Sequence, residues 1–113
     1  MTILDRWALA NMEFEGWSKG SVSYVNSNPG NLKWPGLPAD RFGHSIFPTF
    51  QAGYDRLIEQ LELARSGRSR VYTPNDTLLE FYQKYSEANS LSYAGFVAKR
   101  LGVSIYTKIK DIH

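Results

Sequence analysis

At 113 residues the chain has room for one ordinary hydrophobic core, and its 42% apolar content is enough to build it, which argues against disorder. The absence of cysteine excludes disulfides and thiolate metal sites, and two histidines, His44 and His113, do not make a zinc centre, so no cofactor is expected. A net charge of +2 and a pI near 8.9 suit an anionic polymer such as a cell wall but fall short of a nucleic-acid signature.

No stretch approaches the roughly 20 apolar residues of a membrane span, so no membrane insertion is expected. Met1-Thr2-Ile3-Leu4-Asp5-Arg6 has neither a basic n-region nor an apolar h-region, and no signal peptide is expected there. With 3 Trp, 7 Tyr and 6 Phe, the chain is rich enough in aromatics that some are expected at the surface, where flat faces stack on ligands.

Residues 3–15 are expected to form the first helix. Ile3, Trp7, Ala10 and Phe14 fall at i, i+4, i+7 and i+11 and make a core stripe. Glu15 projects to the side of Leu4, Ala8 and Asn11, and Gly16 ends the helix. Residues 17–31 lack a helical period, and Ser21 to Val25 reads as a short extended piece. Asn28-Pro29-Gly30-Asn31 reads as a type II turn, with proline fixing φ at the second position and glycine accepting positive φ at the third. Leu32–Trp34 and Ser45–Phe47 are expected to pair as a small hairpin across the Pro35–Gly43 loop.

Thr49 is expected to cap a second helix over about 50–65, with Phe50, Tyr54, Leu57, Leu61 and Ala64 on one face and Ser66-Gly67 at its end. Arg65–Arg70 reads as a solvated, basic loop. Thr77-Leu78-Leu79-Glu80 is a capping box, which starts a third helix reaching about Tyr85. A fourth helix begins at Ser90 or Ser92 and ends at Gly102, and a short last helix covers about 107–112. The fold class is mainly α, one domain over residues 1–113, with a minor β or irregular insert after the first helix.

Glu15 is the candidate for chemistry. A carboxylate in the last helical turn faces the negative end of the helix dipole, and Phe14 and Trp17 beside it remove water. Both effects raise its pKa, and a carboxylic acid that keeps its proton near neutral pH serves as the acid of a glycosidase. The competing reading makes Glu13 and Glu15 ordinary exposed residues at a frayed helix end. The amides of the Asn28–Asn31 turn donate and accept together, which suits sugar hydroxyls and N-acetyl groups, against the plainer reading of a connector. Trp17, Trp34, Tyr24 and Phe50 are candidate faces for sugar rings. Asp40 is the weak candidate for a second carboxylate, against the plainer reading of a loop aspartate.

Glu15-Gly16-Trp17, a Ser-rich loop and Asn26-Ser27-Asn28-Pro29-Gly30-Asn31-Leu32 together resemble the opening of small lysozyme-like domains. These occur in bacteriophages and bacteria, near the lytic transglycosylase and goose-type lysozyme branch. The similarity continues through Phe47-Pro48-Thr49-Phe50-Gln51-Ala52-Gly53-Tyr54 and returns at Tyr85, Asn89, Tyr93-Ala94, Val97-Ala98 and Leu101-Gly102-Val103-Ser104. The chain departs from many relatives at Ser27 and Val25.

The resemblance implies a lysozyme-like fold and cleavage of peptidoglycan between N-acetylmuramic acid and N-acetylglucosamine. Glu15 would be the general acid, and Asn28, Gly30, Asn31 and Tyr93 would bind substrate. It implies a monomer acting on peptidoglycan or a related N-acetylated glycan, as a phage lysin, a virion part or an excised domain of an exported protein. Hydrolysis by water and transglycosylation by the muramoyl 6-hydroxyl both remain open. The alternative is a catalytically idle lysozyme-like domain that binds glycan or serves as a phage structural part.

Overall fold

The structure, a computed structural model, describes residues 1–86 and 88–113. The described residues form five α-helices: α1 (Ile3–Phe14), α2 (Val22–Val25), α3 (Phe50–Ser66), α4 (Leu78–Tyr85) and α5 (Ser90–Leu101), followed by a 3-10 turn at Ile109–Asp111. Among them, β pairing is confined to two isolated bridges, Ala39 with Ser45 and Thr77 with Lys108. The mainly α class with an irregular insert after the first helix is the observed one.

Helix α1 is the central element, packing against both α3 and α5, while α4 packs on α5 and α3 on the terminal 3-10 turn. Its start is fixed by a reciprocal cap. The Thr2 hydroxyl accepts from the Asp5 amide at 3.1 Å, and the Asp5 carboxylate accepts from the Thr2 amide at 3.2 Å. Tyr54 on α3 then donates to the other Asp5 oxygen at 2.6 Å, which ties α3 to the first turn of α1.

Because α1 is covered on two sides, its buried surface is wider than the Ile3–Trp7–Ala10–Phe14 stripe. Ala8, Asn11 and Met12 are also buried, whereas Ile3 and Phe14 are only partly so. Trp7, Leu57, Leu61, Leu78, Phe81 and Val97 are fully buried in one shared core. Each apolar side chain of this kind stabilises the fold by about 1.5–3 kcal/mol relative to exposure.

The caps at Thr49 and Thr77 and the left-handed stops at Gly67 and Gly102 stand where the sequence puts them. Several local expectations are corrected. Ser21–Val25 is not extended: the Ser21 hydroxyl caps a single helical turn by accepting from the Tyr24 amide. Leu32–Trp34 and Ser45–Phe47 lie side by side without forming a ladder. One backbone bond, Ser45 N–H to Leu32 carbonyl at 2.8 Å, joins them. The Ser45 hydroxyl then accepts from the Trp34 amide at 2.7 Å and donates to the Trp34 carbonyl at 3.1 Å. A side chain has taken the place of the next strand bond.

Arg65 is partly buried and is not part of a freely solvated loop. Its guanidinium donates to the carbonyls of Ile109 at 3.3 Å and Ile112 at 2.8 Å, holding the chain end over α3. The last helix contracts to Ile109–Asp111, with Ile109 and Ile112 buried beneath it.

Gly95 lies inside α5 with open space around the position a Cβ would take. Gly95→Ala is therefore expected to stabilise the protein by about 0.5–1 kcal/mol, because alanine restricts the unfolded chain and favours helix. Urea denaturation measures this as a higher midpoint at unchanged slope.

Candidate active site

The end of α1 is fixed by backbone geometry. The Trp17 amide donates to the Met12 carbonyl and the Gly16 amide to the Glu13 carbonyl, both at 3.1 Å, with Gly16 at φ 70°. This is the paired closure of a Schellman motif, with Glu15 as the C-cap residue. The motif holds the Glu15 backbone rigidly, and its flank of α1, which carries Ala8 and Asn11, is the buried one. The side chain is thereby placed on the wall of a cleft of about 510 Å³, whose other walls include Asn31, His44, Tyr72 and Tyr85.

Glu15 is half-buried there. Burial pushes its carboxyl above the ordinary value, while the Tyr93 hydroxyl, the Asn31 amide and the imidazolium form of His44 pull in the opposite sense without cancelling the effect. Asn31 Nδ2 donates to Glu15 Oε2 at 3.3 Å. Asn31 Oδ1 is buried and has no hydrogen-bond partner among the described residues. An amide rotated by half a turn presents that oxygen to a protonated carboxyl, so Asn31 has a bonding mode for either state of Glu15. Glu13, on the other flank, is an exposed partner of Arg100 at 2.7 Å.

Asn31 reaches Glu15 because of the turn that precedes it. That turn is closed by the Asn31 amide donating to the Asn28 carbonyl at 2.9 Å. It is not type II. The residues with left-handed φ are Ser27 at 51° and Asn31 at 53°, and Gly30 lacks the positive φ that type requires.

Gly30 is glycine for space. A Cβ there would sit 2.8 Å from Leu57 Cδ1 and 3.0 Å from the Tyr85 hydroxyl. Gly30 is buried, and its carbonyl accepts from Tyr85. Asn28 is buried too, with its amide fully used: Nδ2 donates to the carbonyls of Leu32 and Ser45, and Oδ1 accepts from the Leu32 amide, all at 2.9 Å.

Tyr93 is likewise buried. It stacks on Phe14 and Tyr82, with ring centroids 4.1 and 4.2 Å away, and donates to the Asn11 carbonyl at 3.3 Å. Of the four residues expected to contact substrate, only Asn31 lines the cleft. Asn28, Gly30 and Tyr93 hold the wall from behind.

Removing the Asn28 amide leaves the Leu32 amide and the Ser45 carbonyl unsatisfied in a buried turn, and takes one of the two donors from the Leu32 carbonyl. Asn28→Ala is expected to cost roughly 3 kcal/mol, read as a lower urea midpoint.

The network behind the wall was not apparent from spacing. Trp7 Nε1 donates to the Tyr82 hydroxyl at 2.9 Å, and Tyr82 donates to Asn11 Oδ1 at 2.6 Å. Asn11 Nδ2 donates to the Tyr85 hydroxyl at 3.0 Å, and Tyr85 donates to the Gly30 carbonyl. This chain of bonds joins α1, α4 and the Asn28–Asn31 turn. The available signal was Asn11 itself, a poor helix former four residues before Glu15 on the same face.

The expected aromatic faces divide. Trp34 lines a second groove of about 420 Å³ that shares Leu32, Lys33, Gln60 and Val71 with the cleft. Trp17 packs between Tyr24 and Phe50, with ring centroids 5.3 Å from each, outside the cleft wall.

Asp40 does not line the cleft. It accepts from Asn26 Nδ2, the Phe42 amide and the His44 amide, each at 2.9 Å, and pairs with His44 Nδ1 at 3.3 Å. Partial burial opposes its charge, but these bonds outweigh it and hold the carboxyl at about 2.

No protein-family model, curated protein or solved structure matches the chain. No cluster of metal-ligating side chains occurs among the described residues, and no helix among them is long and apolar enough to cross a membrane.

Proposed function

We propose that the protein cleaves the glycosidic bond between N-acetylmuramic acid and N-acetylglucosamine in peptidoglycan, with Glu15 as general acid. The observation that carries this reading is a carboxyl on the wall of an open cleft, held by a rigid helix end, pushed toward its protonated form and hydrogen-bonded by Asn31. An acid of that kind donates to the leaving oxygen as the bond to the anomeric carbon lengthens and oxocarbenium character develops.

The cleft and the adjoining Trp34 groove together form a trough suited to a chain of sugars rather than to a single small molecule. Lys33, Arg68 and Arg70 along it suit an anionic glycan. As a phage lysin, virion part or exported domain, the protein would meet its substrate at the bacterial wall as a monomer.

The test is mass spectrometry of the soluble products after purified peptidoglycan is incubated with the protein. Muropeptide fragments support the reading. Anhydro ends would name a transglycosylase and reducing ends a hydrolase. A protein that pellets with the wall and releases nothing is a glycan-binding domain instead.

A further inference from the structure

A second titratable group lines the same cleft as Glu15. His44 lines the same cavity, and its ring lies close enough that an imidazolium there bears on the Glu15 carboxyl. The position of the ring is fixed from behind. Asp40 Oδ2 engages Nδ1 at 3.3 Å, Asp40 Oδ1 accepts the His44 amide at 2.9 Å, and Asn26 Nδ2 steadies Asp40 Oδ2 at 2.9 Å. The His44 carbonyl accepts from the Asp40 amide at 2.8 Å, which closes the loop on itself.

Building on the proposed glycosidase reading, we infer that His44 is the general base of the reaction, oriented by Asp40, and that the nucleophile is water. The carboxylate of Asp40 only accepts, so Nδ1 carries the ring proton and Nε2, on the other side of the ring, carries the lone pair. Nε2 takes a proton from water as the water oxygen bonds to the anomeric carbon. The glycosidic C–O bond breaks, and the leaving oxygen takes the Glu15 proton. The cycle leaves Glu15 as carboxylate and His44 as imidazolium, and solvent returns one proton to the acid and removes one from the base. An acid and a separate base in one cleft, the base acting through water, is the scheme of an inverting hydrolase.

His44→Asn tests this directly. The asparagine amide falls near the place of Nδ1 and keeps a donor for Asp40, while Nε2 is lost. The variant is expected to retain the wild-type melting temperature and to digest peptidoglycan about 10²–10³-fold more slowly. Azide is expected to restore cleavage with formation of an α-glycosyl azide, because azide attacks without needing a base while Glu15 still protonates the leaving group. Asp40→Asn, a change at a positioning residue, is expected to give a smaller loss, also relieved by azide, and to add nothing in the double variant with His44→Asn.

Wild-type activity together with an undiminished His44→Asn variant, a slowed variant that azide does not rescue, or anhydro ends among the wild-type products would each overturn the role of His44 and leave Glu15 as the acid. A wild-type protein that releases no fragments would overturn the glycosidase reading, and this inference with it.

Discussion

Glu15→Gln is expected to abolish glycan cleavage and, at neutral pH, to raise the melting temperature. The first effect follows from the loss of the proton donor, worth about 10²–10⁴ in rate for a positioned acid. The second follows from desolvation. Burial pushes the Glu15 carboxyl above the ordinary value of 4.5, so ionising it is harder in the folded protein than in the unfolded chain. Below that ordinary value both states hold the proton, and wild type and variant are expected to melt together. As pH rises through the native pKa, the wild type loses stability that the uncharged glutamine retains, and above that pKa the difference levels off.

Glutamine also keeps an oxygen for the Asn31 amide, so the wall of the cleft is preserved. Thermal melts of both proteins at several pH values, run beside the peptidoglycan digest, check the two halves together. A variant that is inactive and also less stable at neutral pH would mean that the glutamate supports structure. A variant more stable and fully active would remove Glu15 from the mechanism.

Much of the scaffold was legible because it is written in local chemistry. Thr49 and Thr77 announce helix starts through a hydroxyl and the next few amides, and Gly16 announces the end of α1 through positive φ. These signals span three to five residues and need nothing from the rest of the fold.

The rear of the site is different in kind. Tyr82 and Tyr85 meet Asn11 across sequence separations of 71 and 74 residues, and no periodicity in either segment encodes that meeting. The same holds for Gly30, whose turn context suggested conformational freedom when its cause is the approach of Leu57 and Tyr85. His44 carries no signal in the sequence, because a lone histidine fits no metal or nucleophile pattern. The role proposed for it rests on Asp40 four residues earlier, which in the sequence reads as a second carboxylate or a plain loop aspartate and not as a partner for a histidine. Burial likewise reassigns Asn28 and Tyr93. Residue type identified them as polar and aromatic, but only packing shows that their polar atoms are spent inside the protein.

Gly53→Ala is expected to destabilise the protein by more than about 3 kcal/mol, in contrast to the gain at Gly95. Both glycines lie in helices, and on helix propensity alone alanine improves each. At Gly53, however, the new Cβ would stand 2.0 Å from the Ser27 carbonyl oxygen and 2.9 Å from Pro29 Cδ. Neither neighbour can swing aside as a flexible side-chain tip does. Ser27 is held at φ 51° with its amide bonded to the Tyr24 carbonyl at 3.0 Å, and the next amide, of Asn28, is bonded to the Ser23 carbonyl at 2.8 Å.

Relief therefore requires α3 to move off the turn. That motion separates Leu57 from Gly30 and shifts the segment that carries Asn31 to Glu15. The expected signature is a lower urea midpoint together with a loss of cleavage that persists at low temperature, where the variant is still folded. A Gly53→Ala protein as stable as wild type would mean that α3 and the turn do not meet at this point, and the placement of Asn31 would then need another support.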